Sequence, residues 1–96
     1  MDKIKQHEYL CKVIHDVYIA KNKAYGDAFG KTYQELGAIS AVTRMYDKFQ
    51  RIVTLSKGLG EASTDESAKD TLLDLANYCL MYHMEIQITE EKYGDR

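Results

Sequence analysis

Asp70-Thr71-Leu72-Leu73-Asp74-Leu75-Ala76-Asn77-Tyr78 is the stretch whose reading decides the fold. At helical spacing Asp70, Asp74 and Asn77 fall at i, i+4 and i+7, on one stripe. Leu72, Leu73, Leu75, Ala76, Cys79, Leu80 and Met81 fill the other directions. A helix that is apolar on nearly all sides is packed on more than one side, which makes the domain a helical bundle. Two carboxylates four residues apart repel by roughly 0.2–0.5 kcal/mol on an exposed helix, and by more where water is excluded. Something cationic is therefore expected opposite them: basic side chains, a divalent metal, or both.

Working outward, the spacing predicts three helices, over about 3–23, 32–57 and 64–92. In the first, Asp2 can cap, and Ile4, Cys11, Ile14 and Tyr18 recur at steps of seven, three and four. Ala24-Tyr25-Gly26-Asp27-Ala28-Phe29-Gly30 reads as a connector, because two glycines in five residues break a helix. Thr32-Tyr33-Gln34-Glu35 reads as a capping box opening the second helix, whose apolar face is Ile39, Val42, Tyr46, Phe49, Ile52 and Val53. Ser63-Thr64-Asp65-Glu66 reads as a second box opening the third. The expected architecture is a single all-α domain over 1–96, a three-helix protomer that assembles into a helical-bundle homo-oligomer. The motive for association is the apolar run from Leu72 to Met84, which one three-helix chain cannot cover.

Composition narrows the function classes. The formal net charge is −2, so no electrostatic footprint for duplex nucleic acid is present. Proline is absent, which suits long helices. No run reaches the length of a membrane span and no signal peptide is visible, so a cytoplasmic protein is expected. Cys11 and Cys79 stand alone within apolar periodic stretches and read as buried free thiols of a reducing compartment. His7, His15 and His83 lack zinc-site spacing.

Polar stripes carry the chemistry. Arg44, Asp47, Lys48 and Arg51 share a face at i, i+3, i+4 and i+7, roughly opposite the apolar stripe. Two readings stand. One is a solvated face with internal salt bridges. The other is a basic ridge, with phosphate-binding Arg44, Lys48 and Arg51, facing Asp70 and Asp74. Asp47 beside those acids would help to hold Mg²⁺, which takes one or two carboxylates and keeps waters and substrate phosphate. Asp70 and Asp74 read either as ion-pair partners of Arg44 or Arg51, or as metal ligands. Asn77 reads as an interhelical hydrogen bonder or a ligand contact. Glu35 and Glu66 read as helix caps or as further metal ligands. Tyr25, in a glycine-bearing turn, has room to stack on a ligand. No P-loop and no dinucleotide-binding glycine motif is present.

Three ordered stretches, Lys21 to Phe29, Arg44 to Arg51 and Asp65 to Tyr78, follow the patterns KNxxYGDxF, RxxDKxxR and DESxxDTLxDLANY. Together they resemble the phage and bacterial nucleotide modification associated domain family, itself thought similar to the all-α nucleoside triphosphate pyrophosphatases of the MazG and dUTPase type. The resemblance implies a small helical domain, usually oligomeric, in phage nucleotide metabolism. In those pyrophosphatases acids on two neighbouring helices bind Mg²⁺, and water attacks the triphosphate. Their pattern is ExxE on one helix and ExxD on the next. This chain has Asp47 on the first and Thr71 three residues before Asp74 on the second.

Asp70 is displaced by one position from that pattern, and a complete catalytic and metal set would need Asp47, Asp70 and Asp74, with Glu66 as a fourth ligand. The substrate-binding set would be Tyr25, Asp27, Arg44, Lys48, Arg51 and Asn77. The expected activity is nucleotide binding with Mg²⁺-dependent hydrolysis of a nucleoside triphosphate to monophosphate and pyrophosphate. The alternatives are a non-catalytic nucleotide-binding module, sensing or sequestering a signalling nucleotide, and a helical oligomeric interaction protein.

Overall fold

A computed structural model describes residues 2–58 and 65–94. It shows four helices where three are expected: α1 (Lys3–Tyr25), α2 (Ala28–Leu36), α3 (Ala38–Ser56) and α4 (Asp65–Tyr93). The first and last match the expected spans closely. The middle one divides. Gly37, at φ 78° and ψ −168°, separates α2 from α3 and closes α2 with its N–H on the Tyr33 carbonyl. That backbone region is essentially open to glycine alone, so the break is written in one residue. The expected connector shrinks to Gly26 and Asp27, and Phe29 and Gly30 belong to α2. Thr32 and Glu35 therefore lie inside α2 and cap nothing. Ser63 and Thr64, half of the second capping box, lie outside the described residues.

Asp2 caps α1: its Oδ1 accepts from the N–H groups of Ile4 and Lys5 at 3.0 and 3.2 Å. α4 is the spine. It packs most extensively on α3 and also touches α1 and α2, while α2 packs on α3.

The interior is thin. Among the described residues Phe29 and Ala41 are the buried apolar side chains, and no large one is fully enclosed. The radius of gyration is 15.3 Å, against roughly 12.5 Å for a compact chain of this length. Cys11 and Cys79 are free but exposed, which corrects the expectation of buried thiols. The thin interior is the reason, since α1 holds no buried residue at all.

The orientation of α3 differs most from a simple amphipathic reading. It turns Ala41, Met45, Lys48 and Ile52 inward, whereas Ile39, Val42, Tyr46 and Phe49 face solvent. The apolar stripe expected to make the core is thus largely uncovered in the protomer. No helix among the described residues is long and apolar enough to cross a membrane.

Candidate functional site

Where α1, α2, α3 and α4 meet, an open cleft of about 390 Å³ is lined by Tyr18, Lys21, Asn22 and Tyr25 from α1 and by Arg44 and Lys48 from α3. Asp27, Ala28 and Phe29 close one end, and Asp74, Asn77, Tyr78 and Met81 of α4 form the floor.

The turn between α1 and α2 shapes one wall. Gly26 and Asp27 are both left-handed, at φ 59° and 57°. Aspartate tolerates that conformation better than most residues, at a cost of about 1–2 kcal/mol. The Asp27 carboxylate accepts from Asn22 Nδ2 at 3.3 Å, and the same amide reaches the Tyr18 hydroxyl at 3.3 Å. Gly30 makes this possible by close approach: a Cβ there would overlap the Asp27 carboxylate. Phe29, buried, anchors α2 on α4 with its ring 6.0 Å from that of Tyr78. The Arg44 guanidinium lies 6.0 Å over the Phe29 ring, within reach of a cation–π contact.

The charges converge on Asp74. Lys48 Nζ is 3.3 Å from its Oδ2, and Lys21 Nζ is 3.9 Å from its Oδ1. One carboxylate thus gathers cations from α1 and α3. With Arg44 the cleft holds three cations against the carboxylates of Asp27 and Asp74. Asn77 Nδ2 donates to the Ile14 carbonyl at 2.9 Å and ties α1 to α4.

Of the residues singled out from sequence, the structure brings Tyr25, Asp27, Arg44, Lys48, Asp74 and Asn77 to this one cleft. Arg51 stands apart, its Nε donating to Thr71 Oγ1 at 3.1 Å. Asp70 is exposed and lines a shallower depression between α1 and α4, with Val13, Ile14 and Val17 on its other side. Asp47 and Glu66 are exposed and line neither. Among the described residues no three His, Cys, Asp or Glu side chains gather around one point that could hold a metal. The acids expected to share a Mg²⁺ ion therefore do not fit one within a protomer, and both Asp74 oxygens already face lysines.

Tyr18, Lys21, Asn22, Phe29 and Tyr78 also line the cleft, outside the set expected from sequence. The signal was available: Tyr18 with Asn22, and Lys21 with Tyr25, are i, i+4 pairs ending at the glycine-bearing turn.

Fold and site define an all-helical protomer with one cationic, aromatic-walled cleft. The chain belongs to the family described as nucleotide modification associated domain 1, whose model matches residues 21–86 and so takes in the end of α1, all of α2 and α3, most of α4 and every lining residue of the cleft but Tyr18. No curated protein and no solved structure matches the chain. Similarity to the MazG- and dUTPase-type pyrophosphatases is not among these findings.

Proposed function

We propose that the protein binds a nucleotide in this cleft, with phosphates at Lys21, Arg44 and Lys48 and the base against the aromatic wall. The observation that carries the reading is the lining itself: three cations and four aromatic rings share one opening of about 390 Å³. That volume lies within the roughly 300–1,000 Å³ of small-molecule sites. Arginine and lysine answer phosphate charge, and Tyr25, exposed at the end of α1, offers a ring to a base. The family description supports a nucleotide-related role.

Hydrolysis of a triphosphate to monophosphate and pyrophosphate is a further proposal, and it asks for more than this protomer holds. Asp74 is the one α4 acid in the cleft, with Asp47, Asp70 and Glu66 outside it. Mg²⁺ is accordingly assigned to the ligand, as the counter-ion that travels with its phosphates. Binding without turnover is the reading this geometry favours.

The test is thermal stabilisation of the full chain by a panel of nucleoside mono-, di- and triphosphates, with Mg²⁺ or EDTA. A ligand at a hundred times its Kd adds about 2.7 kcal/mol of stability. Lys48→Ala and Arg44→Ala should each weaken the best ligand about tenfold. Stabilisation by no nucleotide at millimolar concentration would overturn the proposal. Chromatography of the mixture for pyrophosphate decides turnover separately.

A further inference from the structure

We infer that the solvent-facing stripe of α3 is the seam of a two-fold homodimer, in which α3 pairs antiparallel with α3 of a second copy. Ile39, Val42, Tyr46 and Phe49 are exposed by 66, 42, 60 and 53%. At 100° per residue they lie within about 80° of arc, so they form one ridge rather than scattered surface residues. With side chains of about 150–250 Å² for the aromatic members, the four present roughly 500 Å². The largest apolar patch on a typical monomer is about 300–600 Å². A specific interface clears roughly 1,000 Å² in total, which two such ridges reach when each covers the other.

The occupant follows from the pattern. The spacing three, four, three reads the same from either end, with its midpoint at residue 44. An isologous interface requires that kind of self-complementarity. Antiparallel pairing sets Ile39 against Phe49 of the second copy and Val42 against Tyr46, so a smaller side chain meets a ring at each layer. Parallel pairing would stack Tyr46 on Tyr46 and Phe49 on Phe49. Thr43 and Gln50 on one flank, and Ala38 and Met45 on the other, carry no charge that would select a different, charged partner.

The protomer's need points the same way, since its buried apolar side chains among the described residues are Phe29 and Ala41. Of the exposed apolar residues of α4, Leu80, Met84 and Ile88 share one stripe while Leu72 and Ile86 lie on other faces, so that stripe is one residue shorter than the α3 ridge and carries no aromatic ring. Arg44 and Lys48 project from the far side of α3, so both clefts of such a dimer stay open.

Light scattering on the full chain at micromolar concentration should give twice the 11.0 kDa protomer mass, or an even multiple of it. Val42→Glu should halve the mass with helical circular dichroism retained, whereas Leu80→Glu should leave it unchanged. Orientation is read in a Cys11→Ser/Cys79→Ser background by co-refolding Val42→Cys chains with Tyr46→Cys chains and oxidising them. The mixed 42–46 disulfide should exceed either symmetric product several-fold, a result independent of whether Val42→Glu folds. A monomeric or odd-numbered parent, dissociation by Leu80→Glu but not by Val42→Glu, or predominance of symmetric disulfides would each overturn the inference.

Discussion

Lys48 Nζ sits 3.3 Å from Asp74 Oδ2, so a cation of the expected basic ridge and an acid of the α4 stripe meet directly. Lys21 approaches the other oxygen at 3.9 Å. In this arrangement Asp74 occupies the position, relative to the lysines, that a phosphate oxygen would take. The pair is about one-third exposed on each side, so its worth is about 0–1 kcal/mol. Asp74→Asn should therefore leave the fold intact and tighten pyrophosphate binding about threefold to tenfold. Isothermal titration in EDTA measures it. A carboxylate that served chiefly as a metal ligand would give the opposite result: weaker binding, confined to solutions with Mg²⁺.

Arg51 is expected to matter for stability rather than for ligand. Its Nε donates to the hydroxyl of Thr71, a residue only 3% exposed, and that hydroxyl donates in turn to the Ser67 carbonyl at 2.8 Å. A hydrogen bond from a charged donor is worth about 1.5–3 kcal/mol. The exposure of Arg51 lowers that to about 1 kcal/mol here. Arg51→Ala should lower the unfolding free energy by this amount in urea titration and change nucleotide affinity by less than about twofold. Loss of affinity matching that of Lys48→Ala would return Arg51 to the binding set.

Asn77 holds α1 in place. α1 has no buried residue, and the amide of Asn77 crosses from α4 to the Ile14 carbonyl at 2.9 Å. Removing the donor should cost about 1 kcal/mol. In Asn77→Ala, amides of α1 should exchange about fivefold faster while those of α3 and α4 keep their protection. Asn77→Asp should be worse, because an ionised carboxylate only accepts and would face the carbonyl. Uniform loss of protection across all four helices would show that α1 does not open separately.

Sequence periodicity made α1 and α4 legible because one runs from a clear cap to a glycine and the other keeps a helical pattern throughout. It failed at Gly37. A lone glycine in a helical pattern is usually tolerated, and nothing in the pattern announces a backbone at φ 78° and ψ −168°. It failed again on the facing of α3. Periodicity locates an apolar stripe but not what covers it, and here Lys48 points inward while Phe49 points out. The cleft was half legible. Tyr25, Arg44, Lys48 and Asp74 stand out locally, whereas the contribution of Lys21 depends on how α1 crosses α4, a tertiary fact.

The last prediction concerns alkaline stability. Tyr33 of α2 lies with its ring 6.0 Å from that of Tyr82 on α4, near Glu85, which is buried and accepts from Gln34 at 3.5 Å. Burial raises the Tyr33 hydroxyl above its ordinary value of 10.0, and the neighbouring Tyr82 and Glu85 push it further the same way. The folded state then holds this proton more tightly than the unfolded chain. The stabilisation is fully present below pH 10 and is lost as pH rises through the higher folded value. Thermal midpoints measured from about pH 8 to about pH 12 should fall on the alkaline side, and Tyr33→Phe, which has no proton to lose, should flatten that fall. The substitution keeps the ring contact with Tyr82, so stability near neutral pH should change by less than about 1 kcal/mol. An alkaline limb unaltered in Tyr33→Phe would assign the loss to other groups.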